Sequence, residues 1–390
     1  MSTQTTAPPH VEEVAPIDIF ATDQPSLAKT PLKKYFEAAV KFESSDLLLR
    51  GGNVPKLRLR GSLKALDTPA IPEEKFEGYI NDALTPELKA RFLEHGSLDL
   101  GTDFEINGDT HRFRINLFRT RGRAAIAARR VSNEIFEFED LLLPASLRDV
   151  SEKHQGLVLL CGVTGSGKST TIASMLNHIN KKRACHIVTI EDPIEYLFHD
   201  QKAIINQREV GIDVPDFPTA LRALVRENPD VVLIGEMRDK ETFEAALQAS
   251  ETGHLVFGTI HASSASQAFG RIYDLFPPEE RDPIRTLLAY QMQAFVYQKL
   301  LPTVREDLQR VPAVEILLQS PSTRKYILDG RESDLDEVIK NNRESGMQTF
   351  TDSLVQLVNN NYVHPKVAQQ SSGSPDEVKM RLRGITSGEG

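Results

Sequence analysis

The sequence predicts an α/β protein of two domains, a smaller α+β domain followed by a parallel-sheet domain built around a phosphate loop. Three observations lead there. Gly162 to Ser169 reads G-x-x-x-x-G-K-S, with the apolar run Leu157 to Cys161 before it and Ile172, Met175, Leu176 and Ile179 on one helical face after it. Strand, glycine-rich loop and helix form the setting in which this pattern cradles phosphate. Apolar runs of strand length at 186–190, 231–234 and 255–260 alternate with helical stretches near 218–227 and 240–251. Strands read this way when helices cover both faces of a parallel sheet. Upstream, residues 56–60 and 111–118 alternate apolar and polar, as half-buried strands do.

Taken in order, residues 1–29 are rich in Thr, Pro, Ala and acids and are expected to be a disordered tail. The first domain is expected over 30–131. Leu32, Tyr35, Phe36, Ala39 and Val40 mark a short amphipathic helix. Residues 45–50 and 56–60 read as strands, 73–84 and 86–95 as helices, and 102–107 and 111–118 as strands joined at Asn107 and Gly108. Residues 124–131 continue that sheet. Residues 132–142 are read as an acidic linker and 143–370 as the second domain. In it, helices are expected to dominate after Ser264, with one short strand at 313–318, and 371–390 is expected to be a flexible tail.

The bulk numbers exclude several function classes. A net charge of −9 disfavours nucleic acid and anionic membrane as partners. The two cysteines, Cys161 and Cys185, lie in apolar runs, which argues for a reducing compartment and against a disulfide framework. There is no C-x-x-C pair for a zinc site, no apolar run long enough to span a membrane, and no basic-then-apolar pattern at residues 1–29, so no secretory leader is expected there. A cytoplasmic protein without direct membrane insertion is expected.

The chemistry is expected at the carboxyl ends of the parallel strands, where open α/β sheets bind ligands. Thr164, Gly165, Ser166, Gly167, Lys168, Ser169 and Thr170 would hold a nucleotide, with Lys168 on the β/γ-phosphates and Ser169 on Mg²⁺. Two acidic tips follow, Glu191 to Glu195 and Glu236 to Asp239. Nucleotide hydrolysis needs a water held in line and a group to take its proton, and two separate acids can divide that work. Asp192 and Asp239 have the competing role of helix caps. His254 and His261 bracket a six-residue strand, roughly 20 Å apart, so they do not share a metal. His261 stands at the ligand edge as a candidate phosphate sensor, with an ordinary structural histidine as the alternative. The cluster Arg112, Arg114, Arg119, Arg121, Arg123, Arg129 and Arg130 is either a solvated strand face or a source of arginine fingers to a neighbouring site.

Together, 162–170, 189–195, 235–239 and 252–261 resemble the Walker A, Asp box, Walker B and His box of the type II/IV secretion ATPase superfamily. Within it the chain is most similar to the PilT/PilU group of pilus retraction ATPases, also at 45–47, 206–210, 274–277 and 346–350, over roughly residues 30 to 360. The resemblance implies a PAS-like domain on a RecA-like ATPase domain, in a homo-hexameric ring that hydrolyses ATP with Mg²⁺ to retract type IV pili in twitching motility. It implies Glu195 as general base, Glu236 as ligand of Mg²⁺ through water, His261 as sensor and Arg271 as a catalytic arginine. Arg112, Arg114 and Arg123 become its candidate arginine fingers. It also implies docking on a platform protein of the inner membrane. Residues 322–330 lack the PilT-type carboxyl-terminal signature, which leans towards a PilU-like or diverged PilT-like chain working with a paralogous ATPase. The competing roles are a secretion or conjugation ATPase, and an accessory ring subunit dependent on a paralogue.

Overall fold

Residues 26–59, 61–131, 134–224 and 226–384 are described by the computed structural model. They form two compact units that meet in sequence between Arg130 and Val131.

The first unit runs α1 (Lys33–Lys41), β1 (Asp46–Arg50), β2 (Lys56–Leu59), β3 (Ser62–Ala65), α2 (Glu73–Ala83), α3 (Pro86–His95), β4 (Ser97–Ile106), β5 (Asp109–Thr120) and β6 (Arg123–Arg130). The strands make one antiparallel sheet in the order β3-β2-β1-β6-β5-β4. Asn107 and Gly108 join β4 to β5 with φ of 57° and 91°. Positive φ at both positions matches the turn to the right-handed twist of the strands. Phe36 of α1 stacks on Phe104 of β4 at 4.1 Å between ring centres, and Phe113 of β5 meets both rings edge-on. Those rings centre a core shared by the three helices and the sheet. This architecture accommodates the PAS-like expectation. Two details differ from the sequence reading. Strand β3 was not foreseen, since it is only four residues long and all four are exposed, Leu63 included. Order also starts earlier than residue 30, because Leu27 is buried in this core within a 3₁₀ turn. The rest of the expected tail, 1–25, lies outside the described residues.

The second unit continues α4 (Ala145–Ser151), β7 (Gly156–Cys161), α5 (Lys168–Lys182), β8 (His186–Glu191), β9 (Ile204–Glu209), α6 (Phe217–Leu224), β10 (Val231–Ile234), α7 (Lys240–Glu251), β11 (Leu255–Ile260), α8 (Ala265–Tyr273), α9 (Arg281–Gln291), β12 (Met292–Pro302), β13 (Arg310–Leu318), α10 (Pro321–Leu328), α11 (Leu335–Asn341), α12 (Phe350–Asn359), α13 (Pro365–Ser371) and α14 (Pro375–Leu382). Its sheet has the order β13-β12-β7-β11-β10-β8-β9, parallel except for the β12–β13 pair. Every residue of β7, β10 and β11 is buried. Alternate side chains serve opposite faces: Leu157, Leu159, Val232 and Val256 enter one core, and Val158, Leu160, Val231 and Phe257 the other. That two-sided burial is why these strands read as unbroken apolar runs.

Three expectations for this unit need correction. Helices do dominate after Ser264, but the single short strand expected at 313–318 is part of a long antiparallel hairpin of β12 and β13, with β12 seated beside β7. Residues 371–384 are not a flexible tail, because α14 buries Val378 against Leu354, Leu357 and Ala368; residues 385–390 lie outside the described residues. The 132–142 stretch is not a bare linker either. Phe138 is buried among Leu147, Val150 and Met175, edge-on to His178, although residues 132 and 133 lie outside the described residues. No described helix is long and apolar enough to cross a membrane.

Candidate active site

The chain leaves β7 at Cys161, passes through the glycine-rich loop, and enters α5 at Lys168. Two glycines are required by close approach. A Cβ on Gly162 would stand 2.5 Å from the Gln298 carbonyl and 2.6 Å from Ser166 Oγ, and one on Gly167 would stand 2.7 Å from Gln298 Nε2. Their φ angles, 148° and 90°, also lie where side chains are rarely tolerated. Lys168 Nζ donates to the carbonyls of Gly162 at 2.8 Å and Val163 at 3.2 Å, so the ammonium folds back over its own loop. Burial holds its pKa below the ordinary lysine value, and the nearby charges of Glu236 and Glu195 oppose that fall.

The end of β11 brings His261 to this loop. Its Nδ1 lies 3.0 Å from the Gly162 carbonyl and its Nε2 3.2 Å from Glu236 Oε1. One ring therefore spans the phosphate loop and the acid that follows β10. Glu236 also accepts from Arg238 Nη2 at 2.6 Å, and that hydrogen bond is the main cause holding its carboxyl below the ordinary range. At neutral pH Glu236 is a carboxylate.

The tip after β8 is anchored twice. Tyr196 shares a 2.7 Å hydrogen bond with Thr170, which fastens the tip to the first turn of α5. Glu191 is buried and accepts from Thr189 at 2.7 Å, Gln207 at 3.3 Å and the Glu195 backbone N–H at 3.4 Å. The Glu195 side chain is exposed at this tip, and its charge reaches Lys168.

Lys168, Glu195, Glu236 and His261 therefore converge at the carboxyl edge of the sheet. Ser169 sits beside Lys168 in the first turn of α5, and Thr164 and Gly165 form the exposed crest of the loop. Ser169 and Glu236 offer hard oxygen donors. Among the described residues no three His, Cys, Asp or Glu side chains gather as a metal cage. Such a donor set suits Mg²⁺, which is commonly held by one or two protein oxygens together with phosphate and water.

Other candidates stand elsewhere. Arg271 is exposed on α8 and lines a cleft of about 430 Å³ with Tyr273, Arg285 and Glu332, not the phosphate loop. Asp239 caps α7 by accepting from the Thr242 N–H at 2.8 Å, and His254 contacts the Ala249 carbonyl at the end of the same helix. In the first unit, Arg112 pairs with Asp103 at 3.1 Å and Arg123 with Glu73 at 2.6 Å. Arg114 lies in register between Gly101 of β4 and Arg129 of β6.

Sequence reasoning missed two site residues. Glu191 was visible in the acidic tip but gave no sign of burial. Gln298, buried on β12 and bonded to the phosphate loop, carried no signal in a strand that was itself not foreseen.

Residues 99–363 match the type II/IV secretion system protein family. A twitching motility protein of Neisseria gonorrhoeae is 36% identical over 327 residues, covering 84% of this chain and 86% of that one. The type IV pilus retraction ATPase PilT of Pseudomonas aeruginosa is 36% identical over 338 residues, covering 87% and 97%. A crystal structure of the pilus retraction motor PilT with bound ADP superposes with a TM-score of 0.81 at 38% identity, covering 90% of this chain and 99% of that one.

Proposed function

The chain belongs to the type II/IV secretion system protein family, and on that premise we propose that it is an ATP-hydrolysing motor that powers type IV pilus retraction as a homo-hexamer. The observation that carries the proposal is the His261 bridge. A single imidazole touches both the phosphate loop at Gly162 and the carboxylate of Glu236, so a change at the γ-phosphate is felt by both.

The loop N–H groups and Lys168 bind the phosphates. Ser169 and, through water, Glu236 would hold Mg²⁺, which neutralises charge on the β- and γ-oxygens when bound. Glu236 orients the attacking water and Glu195 takes its proton. The water oxygen bonds to the γ-phosphorus as the bond from phosphorus to the β–γ bridging oxygen breaks, and ADP leaves with that oxygen. His261 senses the loss of the γ-phosphate between its two contacts.

Retraction is supported by the Pseudomonas aeruginosa relative named for it, which is covered over 97% of its length, and by the relative named for twitching motility. The finer role is PilU-like or that of a diverged PilT, docked on a platform protein of the inner membrane. The departure at 322–330 supports the PilU-like or diverged PilT-like part of that role.

The test is Mg–ATP hydrolysis by the purified chain, with native mass recorded alongside. Wild type should turn over as a hexamer, and Lys168→Ala and Glu195→Gln should each lose about 10²-fold or more in kcat. A folded wild-type hexamer that binds ATP without turnover would replace the motor with an accessory ring subunit.

A further inference from the structure

Gln298 is buried, 2% exposed, in the middle of β12. Both heteroatoms of its amide are engaged, and both partners belong to the phosphate loop or the helix it opens. Nε2 donates to the Ser166 carbonyl at 2.9 Å, and Oε1 accepts from Thr171 Oγ1 at 2.8 Å. The orientation of the amide follows from the partners, because a backbone carbonyl only accepts and so must face the NH₂. A buried amide with both ends satisfied is a fixed object.

That bond has a directional consequence. The Ser166–Gly167 peptide is trans, so its C=O and N–H point in opposite directions. With the carbonyl held against β12, the Gly167 N–H is turned away from β12. This N–H lies at the start of α5, where helix N–H groups have no partner inside the helix and are free to bind an anion. The adjacent glycines could not hold this pose unaided, since Gly167 has no side chain to resist a peptide rotation. The tight approach of Gln298 Nε2 to the place where a Gly167 Cβ would stand is the steric half of the same brace.

We propose that Gln298 is a positioning residue of the nucleotide site: its side-chain amide locks the Ser166–Gly167 peptide so that the Gly167 N–H is presented to the β-phosphate. The proposal rests on the nucleotide site argued above and adds a residue from a strand more than a hundred positions downstream. It also gives the neighbouring hydroxyl a purpose. Thr171 holds the far end of the amide and prevents it from turning its oxygen towards the Ser166 carbonyl.

The experiment compares ADP and AMP binding by calorimetry for wild type, Gln298→Met and Thr171→Val, with a thermal melt for each. Methionine keeps the volume and removes both hydrogen bonds; valine frees the amide oxygen only. Gln298→Met should weaken ADP about tenfold or more while AMP binding changes less than twofold, because AMP has no β-phosphate for the loop to hold. Thr171→Val should move ADP in the same direction by a smaller factor, and it carries the test if the methionine variant fails to fold. Folded variants that bind ADP like wild type would overturn the proposal. So would equal losses for ADP and AMP, which mark general loosening. A folded wild type that binds no ADP would overturn the nucleotide site itself and this inference with it.

Discussion

Glu191 ends β8 with its carboxyl buried beneath the tip that carries Glu195. Burial pushes its pKa up to about 7, against the pull of hydrogen bonds from Thr189, the Glu195 backbone and Gln207. Glu315 on β13 is raised to about 7 as well, again mainly by burial, although the Ala265 N–H donates to it at 2.7 Å. A carboxyl whose folded pKa is raised binds its proton more tightly in the folded chain than in the unfolded one. The resulting stability is complete below the ordinary glutamate pKa and is lost as pH rises towards and through about 7. Each site therefore contributes a fall of roughly 2–4 kcal/mol across that interval. Urea unfolding at pH 5 and pH 8 should show Glu191→Gln losing markedly less stability over the interval than wild type, and the double variant with Glu315→Gln losing least. A Glu191→Gln curve parallel to wild type would mean that this carboxyl ionises as it would in water.

At the level of elements, what was legible depended on whether the cause was local. The phosphate loop was legible because its spacing is local, and β7, β8, β10 and β11 because burial on two faces leaves continuous apolar runs. The convergence of Lys168, Glu236 and His261 followed from one rule, that the carboxyl ends of parallel strands share an edge. Strand β12 was not legible: its residues continue directly from α9, and pairing with β7 and β13 decides their conformation. Gln298 was hidden with it. Helix α14 was hidden because the two residues it packs on the core, Val378 and Leu382, stand among charged neighbours, and its anchor lies on another helix. That anchor is Asp352 of α12, whose carboxylate accepts from Thr349 Oγ1 at 2.6 Å, the Thr349 N–H at 3.0 Å and Arg343 Nε at 3.0 Å, and is bonded by Arg381 of α14. Burial alone would raise its pKa, but these hydrogen bonds win and hold it at about 2. Asp352→Ala should cost roughly 3–5 kcal/mol, since it strands buried donors on two elements. Arg343→Ala should cost about 1 kcal/mol or less, because that arginine is half exposed. Urea unfolding measures both, and equal costs would show that Asp352 is not the hub that seats α14.

At the scale of the whole molecule, the proposed ring needs a positive charge delivered to each site, and the basic strand face of the first unit is the source to test. Two of its three candidates are already engaged, Arg112 with Asp103 and Arg123 with Glu73. Arg114 forms none of the ion pairs found among the described residues, and Arg129, opposite it in register, is paired with Asp46 instead. In a chain of net charge −9, such a cation is suited to meet the phosphates of a neighbouring copy. Arg114→Ala should lower kcat by about 10³-fold, the scale of an arginine finger, and leave ADP affinity of the dissociated chain unchanged. Mixing it with Lys168→Ala gives the decisive reading. Each variant alone is inactive, but a mixed ring contains sites that combine an intact Lys168 from one chain with an intact Arg114 from the next. Activity should return on mixing and vary with the ratio of the two chains. Mixed hexamers, verified by native mass, that stay as inactive as the separate variants would exclude Arg114 as a group acting between subunits.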